Sequence, residues 1–353
     1  MASASIENYS DVLRVVPGKR QLLLNGLDEI NGASVIPPSN GYYLHWSSGN
    51  FAVVFRCRTA AGADVALRCL LRPSSKDAAE RAAEVGNYLC QLPQKPESFI
   101  GYRLVPSAIY AADEWQDAYL MDWVSGKTLL EAVRDLAAEG NATGLRAMSE
   151  NMIRLVSQIQ EAGIAHGDLH PDNILVLPSG ALRLVDYDSV YIHALQGRPC
   201  PIVGPEGYAH PEYVSQKLAR PYNINMDTFA GLVLITSLHA IANDLSFFQR
   251  FTKENLLFRA EDLQDPIGSP TFAALMSSGD KKLTALAGSL RDMCLDPAKA
   301  QVLMEQVPGI GREWKKAPGP RLTAPALPGK PVAWKPQPAV AQNTFAAIFQ
   351  SKA

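Results

Sequence analysis

The run His166-Gly167-Asp168-Leu169-His170-Pro171-Asp172-Asn173-Ile174-Leu175-Val176, with Leu184-Val185-Asp186-Tyr187-Asp188 close behind it, constrains this 353-residue chain more than any other feature. Two apolar stretches, Ile174–Leu177 and Leu182–Val185, flank Pro178-Ser179-Gly180 and predict a short hairpin. Asp168 then sits in a loop, Asn173 five residues on and Asp186 thirteen beyond that. A carboxylate at the end of a helix and loop can accept a hydroxyl proton. An amide oxygen and a second carboxylate carried by one hairpin can converge on a hard cation. Mg²⁺ takes one or two carboxylates plus substrate phosphates, so this set suits phosphoryl transfer from a nucleotide. Taken singly, Asp168 reads as a cap and Asp186 as a turn former; the combination carries the chemistry.

The texture around the run divides the chain. Residues 1–40 show no strong periodicity, end in Ile36-Pro37-Pro38 and read as a lead-in segment. Tyr42–His45, Phe51–Cys57 and Asp64–Leu71 are aromatic and β-branched, separated by small turn residues, and predict three consecutive antiparallel strands. Ser75 then offers an N-cap to Ala78, Ala82, Val85 and Leu89 at helical spacing. A further strand-like run covers Ala118–Val124. Beyond it helices dominate: one from near Ser149 with Gly163 in the C′ position, and another over Met226–Ala242 that is apolar almost all round and belongs inside a lobe. The predicted units are therefore 1–40, 41–124, 125–306 and 307–353. The last holds seven prolines between Pro318 and Pro338 and reads as an extended linker ending in an apolar patch, Thr344–Phe349.

Composition narrows the classes. With 47% apolar and 19% charged residues a packed core is expected, and a net charge of −2 offers no overall attraction to nucleic acid. Residues 307–353 alone carry a net +6. Five scattered cysteines without a CxxC pair argue against a disulfide framework or a zinc site and for a reducing cytoplasm. Glu7 and Asp11 fall where a secretory signal would be apolar, and the most apolar stretch, Phe229–Ala242, is too short to span a membrane.

The central run resembles the catalytic loop and metal motif of the protein-kinase-like superfamily, written HRDxxxxN and DFG, over roughly residues 41–300. Ser47–Phe55 looks like a degenerate Gly-rich loop, Val65-Ala66-Leu67-Arg68 like the VAIK strand, and Met121-Asp122-Trp123-Val124 like the gatekeeper and hinge. Gly207–Glu212 looks like the end of an activation segment, and Asp227 heads the buried helix. The HGDLHPDN wording is similar to aminoglycoside and choline phosphotransferases as well as to some bacterial protein kinases, and Glu212 with the Asp227-headed helix favours resemblance to a eukaryotic-like bacterial Ser/Thr protein kinase. The resemblance implies an α+β, two-lobed fold, with a small antiparallel-sheet N-lobe and a mainly helical C-lobe. It implies ATP and Mg²⁺, with Asp168, His170 and Asn173 catalytic and Asn173 and Asp186 on the metal. Gly49, Val54, Ala66, Arg68, Glu84, Met121, Asp122, Val124 and Leu175 would line the nucleotide. It implies a protein substrate and, in some bacterial relatives, a phosphatase and a von Willebrand-type partner, with no membrane and no nucleic acid.

The departures from the family pattern bear on mechanism. Arg68 stands for the strand lysine and must pair differently with a helix carboxylate, expected at Glu84 or else Glu80. His170 stands for Lys and changes charge near neutral pH. Asp188 replaces the glycine that ends the metal motif and reads as a turn residue, with a third metal-facing carboxylate as the alternative. Gly167 replaces the Arg that receives a loop phosphate, no Ser or Thr lies between Val190 and Ala209, and Pro205 replaces a Thr. Activity is therefore expected to be constitutive or partner-controlled. The Arg that would pair with Glu212 is missing near Asp296–Ala300, leaving Lys299, Arg291 or solvent. The leading reading is a Ser/Thr protein kinase. A pseudokinase that binds or scaffolds is the alternative, and a small-molecule phosphotransferase lacks a counterpart of Tyr208–Glu212. Val307-Pro308-Gly309-Ile310-Gly311 resembles a helix-hairpin-helix DNA contact, but a second hairpin helix is missing and a proline-rich linker is the stronger reading.

Overall fold

In the computed structural model, residues 4–16, 19–38, 43–48, 52–72, 75–216, 219–252 and 255–311 are described. Gly49 and the tail from 312 lie outside them. The lead-in forms helix α1 (Ile6–Arg14), whose Ser5 and Asn8 make a reciprocal capping box, and a single turn α2 (Asp28–Asn31). Between them Arg20 is buried and donates to the carbonyls of Leu13, Ala33, Val15 and Ile30 at 2.6, 2.8, 3.1 and 3.3 Å. One guanidinium thus gathers four main-chain oxygens and folds the segment around itself.

Strands β1 (Ser34–Val35), β2 (His45–Ser48), β3 (Ala52–Arg58) and β4 (Asp64–Leu70) follow, then helix α3 (Lys76–Gln91) and strands β5 (Tyr102–Ala111) and β6 (Glu114–Asp122). They form one antiparallel sheet in the order β1-β3-β4-β6-β5, with β2 also on β3. The strand expected over Tyr42–His45 is β2, His45–Ser48; Tyr42 lies outside the described residues, and the pairing with β3 shifts register between His45 and Ser47. Residues 65–70 of β4 are all buried, so both faces of this strand are covered. On one face Val54, Ala66, Arg68 and Met121 lie together by register. The other carries Cys57 and Cys69, beside which Arg20 and Tyr9 of the lead-in are placed. The Tyr9 hydroxyl donates to the Leu70 carbonyl, tying the lead-in to the strand end.

The large lobe contains β7 (Lys127–Thr128), α4 (Leu129–Ala138), α5 (Ala142–Glu161), β8 (Ile174–Val176), β9 (Leu182–Leu184), α6 (Pro211–Gln216), α7 (Thr228–Asn243), α8 (Ala260–Gln264), α9 (Pro270–Met276) and α10 (Lys281–Leu295). Helix α5 starts seven residues before Ser149, since Asn141 caps it through the Gly144 N–H at 2.8 Å. Ser149 instead is buried mid-helix, its hydroxyl on the Ile235 carbonyl. Gly163 ends the helix at φ +74°, where a Cβ would be strained. Helix α7 is buried over nearly its whole length and packs on α5. The fold is the α+β, two-lobed one that the resemblance implied. All five cysteines are free thiols, and among the described residues no helix is long and apolar enough to cross a membrane. In the turn after Met304–Gln306, Val307 and Ile310 are buried, and the Pro308 carbonyl accepts from Ser289 on α10 at 3.2 Å.

Candidate active site

The loop between α5 and β8 is set by buried main-chain hydrogen bonds. Asp227, fully buried at the head of α7, does not cap that helix. Its carboxylate accepts from the N–H groups of both His166 and Gly167, the latter at 2.9 Å. His166 is fully buried. Its Nδ1 accepts from the Asp168 N–H at 3.3 Å, so Nε2 carries the proton and donates to the Val185 carbonyl at 2.9 Å. Both ring nitrogens are thereby used in holding the loop. Gly167 has φ +81°, and a Cβ there would lie 2.1 Å from the Ser189 carbonyl oxygen. The space a larger residue would need is filled by main chain.

These bonds present Asp168. The Asn173 amide donates to its carbonyl at 2.9 Å and its Oδ2 at 3.3 Å, whereas Oδ1 is buried and has no hydrogen-bond partner among the described residues. The His170 Nε2 lies 3.8 Å from Asp168 Oδ2. Burial lowers the His170 pKa, with Asp168 and Asp172 pulling the other way. The β8–β9 hairpin brings the second carboxylate in: Ile174 pairs with Leu184, and the Val185 N–H donates to the Asn173 carbonyl at 3.0 Å. Asp186 follows directly, in the left-handed region at φ +64°, a conformation Asp tolerates better than most residues. Removal from water raises its pKa, Arg68 opposes the rise, and the Asp188 charge adds to it. Asp168 and Asp188 are thus close enough for their charges to act on Asp186, although among the described residues no group of three or more His, Cys, Asp or Glu side chains is gathered as a metal site.

Arg68 departs from the expected pairing. It is buried, donates to Asp188 through Nη1 at 3.0 Å and Nη2 at 2.8 Å, and reaches Asp186 through Nη2 at 3.2 Å. Its guanidinium lies over the Tyr119 ring at 5.3 Å. Glu84 does not join it. That carboxylate is 43% exposed and pairs with Arg198 at 3.5 Å, and Glu80 is on the exposed side of the helix. Asp188 is accordingly no mere turn residue: its carboxylate meets the guanidinium fork side-on.

Of the other expected nucleotide contacts, Val54, Ala66 and Met121 share the Arg68 face of the sheet, and Leu175 is partly buried on β8 opposite Thr128. The Asp122 N–H is taken by the Gly101 carbonyl at 2.9 Å and its carboxylate by the Gly101 N–H at 2.6 Å. Val124 follows, partly buried. Gly49 is not among the described residues. A cluster absent from the sequence reading flanks this edge: the Arg56 guanidinium lies 5.4 Å from the Trp46 ring centre and 5.0 Å from that of Trp123, and pairs with Asp64. Only the strand register, which sets Arg56 opposite Ala66, could have hinted at it.

The pattern that defines the protein kinase domain matches residues 47–263, well over half of the chain. The chain belongs to the protein kinase domain family. It is 30% identical over 112 residues to a cGMP-dependent protein kinase of Eimeria tenella, covering 32% of this chain and 11% of that protein. Over 118 residues it is 30% identical to a cGMP-dependent protein kinase of Toxoplasma gondii, with 32% and 11% covered. A MAP kinase kinase of Saccharomyces cerevisiae is 25% identical over 132 residues, 36% of this chain and 25% of that protein. The chain thus spans a quarter or less of the length of these relatives.

In this kinase domain the segment after Asp188 is held by main-chain bonds and by Arg198. Gly197, Cys200 and Arg198 exchange main-chain bonds with Arg220 and Tyr222. Arg198 also reaches Asp77 at 2.8 Å, so the segment grips α3 at two carboxylates. At its end, Glu212 makes no ion pair among the described residues, while Lys299 and Arg291 both turn to Asp292. His210 does the anchoring: Nε2 meets the Met293 carbonyl on α10 at 2.8 Å, and the ring packs on Phe229.

Proposed function

We propose that this kinase domain transfers the γ-phosphoryl group of ATP to Ser or Thr hydroxyls of a protein substrate, within an HGDLHPDN-type branch of the family. The reading rests chiefly on Asp168 Oδ1, a buried carboxylate oxygen that has no partner among the described residues and lies beside a pair of carboxylates. An unpaired buried oxygen costs about 1–3 kcal/mol, so a site keeps one where a ligand group completes it. Asp168 accepts the hydroxyl proton and Asn173 holds the Asp168 side chain in place. Asn173 and Asp186 are the residues to hold Mg²⁺, which supplies charge neutralisation of the phosphates when bound. Arg68 contacts the phosphates, and His170, held mostly neutral by burial, lies near the transferred group. The Asp122 carbonyl and Val124 N–H take the adenine, since the Asp122 N–H is already used. Without a Ser or Thr between Val190 and Ala209, activity does not await loop phosphorylation; a partner protein is the alternative control.

The engagement of Arg68 by two carboxylates favours a second reading, a pseudokinase that binds nucleotide without transferring. Transfer of labelled phosphate from ATP to a generic protein substrate separates the two. Wild type should label the substrate, Asp168→Ala should lower the rate about 10³-fold, and Arg68→Lys should retain part of it. Nucleotide binding with no transfer in any of the three would establish the pseudokinase.

A further inference from the structure

A buried guanidinium is positioned only where its planar fork is matched, and in this molecule the match is Asp188. Two parallel bonds, 3.0 and 2.8 Å, join the two side chains, Tyr119 supports the guanidinium from one face and Asp186 takes a further donor. Asp77 and Glu84 of helix α3 are instead held by Arg198. Three of the five Arg68 donors are used among the described residues, leaving two for a ligand.

We propose that Asp188 is the positioning residue of Arg68: it fixes the plane and place of the guanidinium for nucleotide phosphates, so that the cation is oriented by the segment after β9 and not by helix α3. The inference rests on the phosphoryl-transfer reading for the ligand, and on this chain's own side chains for the pairing. Residues 68 and 188 then act as one unit. A lysine at 68 cannot bind both Asp188 oxygens side-on, and Asn at 188 keeps the size but removes the charge that holds the fork.

Calorimetric titration of the full chain with MgADP and with adenosine tests this. Asp188→Asn should weaken MgADP about tenfold and leave adenosine, which has no phosphates, within twofold. Arg68→Lys should weaken MgADP similarly, and the double variant should lose no more than about twentyfold, where independent residues would lose a hundredfold. Glu84→Gln should cost MgADP less than threefold. Equal losses for adenosine and MgADP, multiplicative losses in the double variant, or a Glu84→Gln effect as large as that of Asp188→Asn would each overturn the proposal. Thermal unfolding of the same four proteins without nucleotide keeps the pairing testable by itself. There the double variant should be no less stable than the worse single one, and additive losses would refute the pairing. Wild type that binds neither ligand would sink the phosphoryl-transfer reading, while the unfolding cycle still reports on Arg68 and Asp188.

Discussion

The two sides of the cleft are held by different forces. Below, the loop carrying Asp168 hangs from buried groups: Asp227 takes two main-chain N–H bonds, and His166 uses both ring nitrogens on main-chain atoms. Above, Arg68 and helix α3 are held by ion pairs whose acids are 38–61% exposed: Asp188, Asp186, Glu84 and Asp77. Buried bonds to main chain are directional and costly to break, whereas the exposed Arg198 pairs with Asp77 and Glu84 are screened and exchange at little cost. Asp168 is therefore preset by the fold. The cation's partner is a choice among nearby carboxylates, and in this chain it has moved from the helix to Asp188.

Breaking the lower side should give the largest effects. Asp227→Ala orphans two buried N–H groups at once and is expected to cost about 4 kcal/mol, measured by urea unfolding, together with nearly all transfer activity. A loss under 1 kcal/mol would show that the loop is held elsewhere. Gly167→Ala should cost about 3 kcal/mol, because the left-handed φ and the Ser189 carbonyl both oppose a side chain. Restoring the family's Arg at 167 should be worse than Ala, and a stable, active Gly167→Arg protein would refute the close approach.

The same difference explains what was legible in the residues. The hairpin that carries Asn173 and leads to Asp186 could be read because apolar strands and a Pro-Ser-Gly turn fix its spacing locally. Helix α3 could be read from Ser75, whose hydroxyl accepts from the Ala78 N–H at 3.1 Å. Strand β5 could not: Pro106 and Ser107, at φ +49°, interrupt its pattern, and the register shifts between Val105 and Ile109. Helix α4 went unread although Thr128 and Glu131 form a capping box that its sequence displays. The partner of Arg68 was illegible for a different reason. Glu84, Glu80 and Asp188 all offer a carboxylate, and only three-dimensional distance selects among them. The lead-in shows no long period because its elements are short: α1 buries Tyr9, Val12 and Leu13, and Arg20 ties the turns that follow to it.

Asp262 extends the comparison to acid. It is a buried carboxylate in the large lobe, accepting from the Ser269 and Thr271 hydroxyls at 2.6 and 2.8 Å, the Arg259 N–H at 3.0 Å and Arg250 at 3.1 Å. Burial acts to raise its pKa, but these bonds outweigh it and hold it below the ordinary value. Its stabilisation is therefore complete above the unfolded-state pKa, near 4, and is lost as pH falls toward the folded value. Asp262→Asn should cost about 2 kcal/mol at pH 7 and progressively less below pH 4, read by urea unfolding at each pH. A constant cost across that range would mean the carboxylate charge contributes nothing.

The smallest effect is expected where the chain looks most tightly laced. Arg198 joins the segment after Asp188 to two acids of α3, yet it is 37% exposed, and Asp77 and Glu84 are 61% and 43% exposed. Pairs of this kind contribute about 0–1 kcal/mol, and at 1 M salt the screening length of about 3 Å removes most of that. The segment itself is held by main-chain bonds between 197–200 and 220–222, which survive loss of the side chain. Arg198→Ala should lower the unfolding free energy by under 1 kcal/mol in low salt, with the difference from wild type vanishing in 1 M salt. Transfer should stay within threefold in both. If Arg198→Ala lost activity thirtyfold with its stability intact, helix α3 would be setting the cleft after all, and Arg68 would need the helix as much as it needs Asp188.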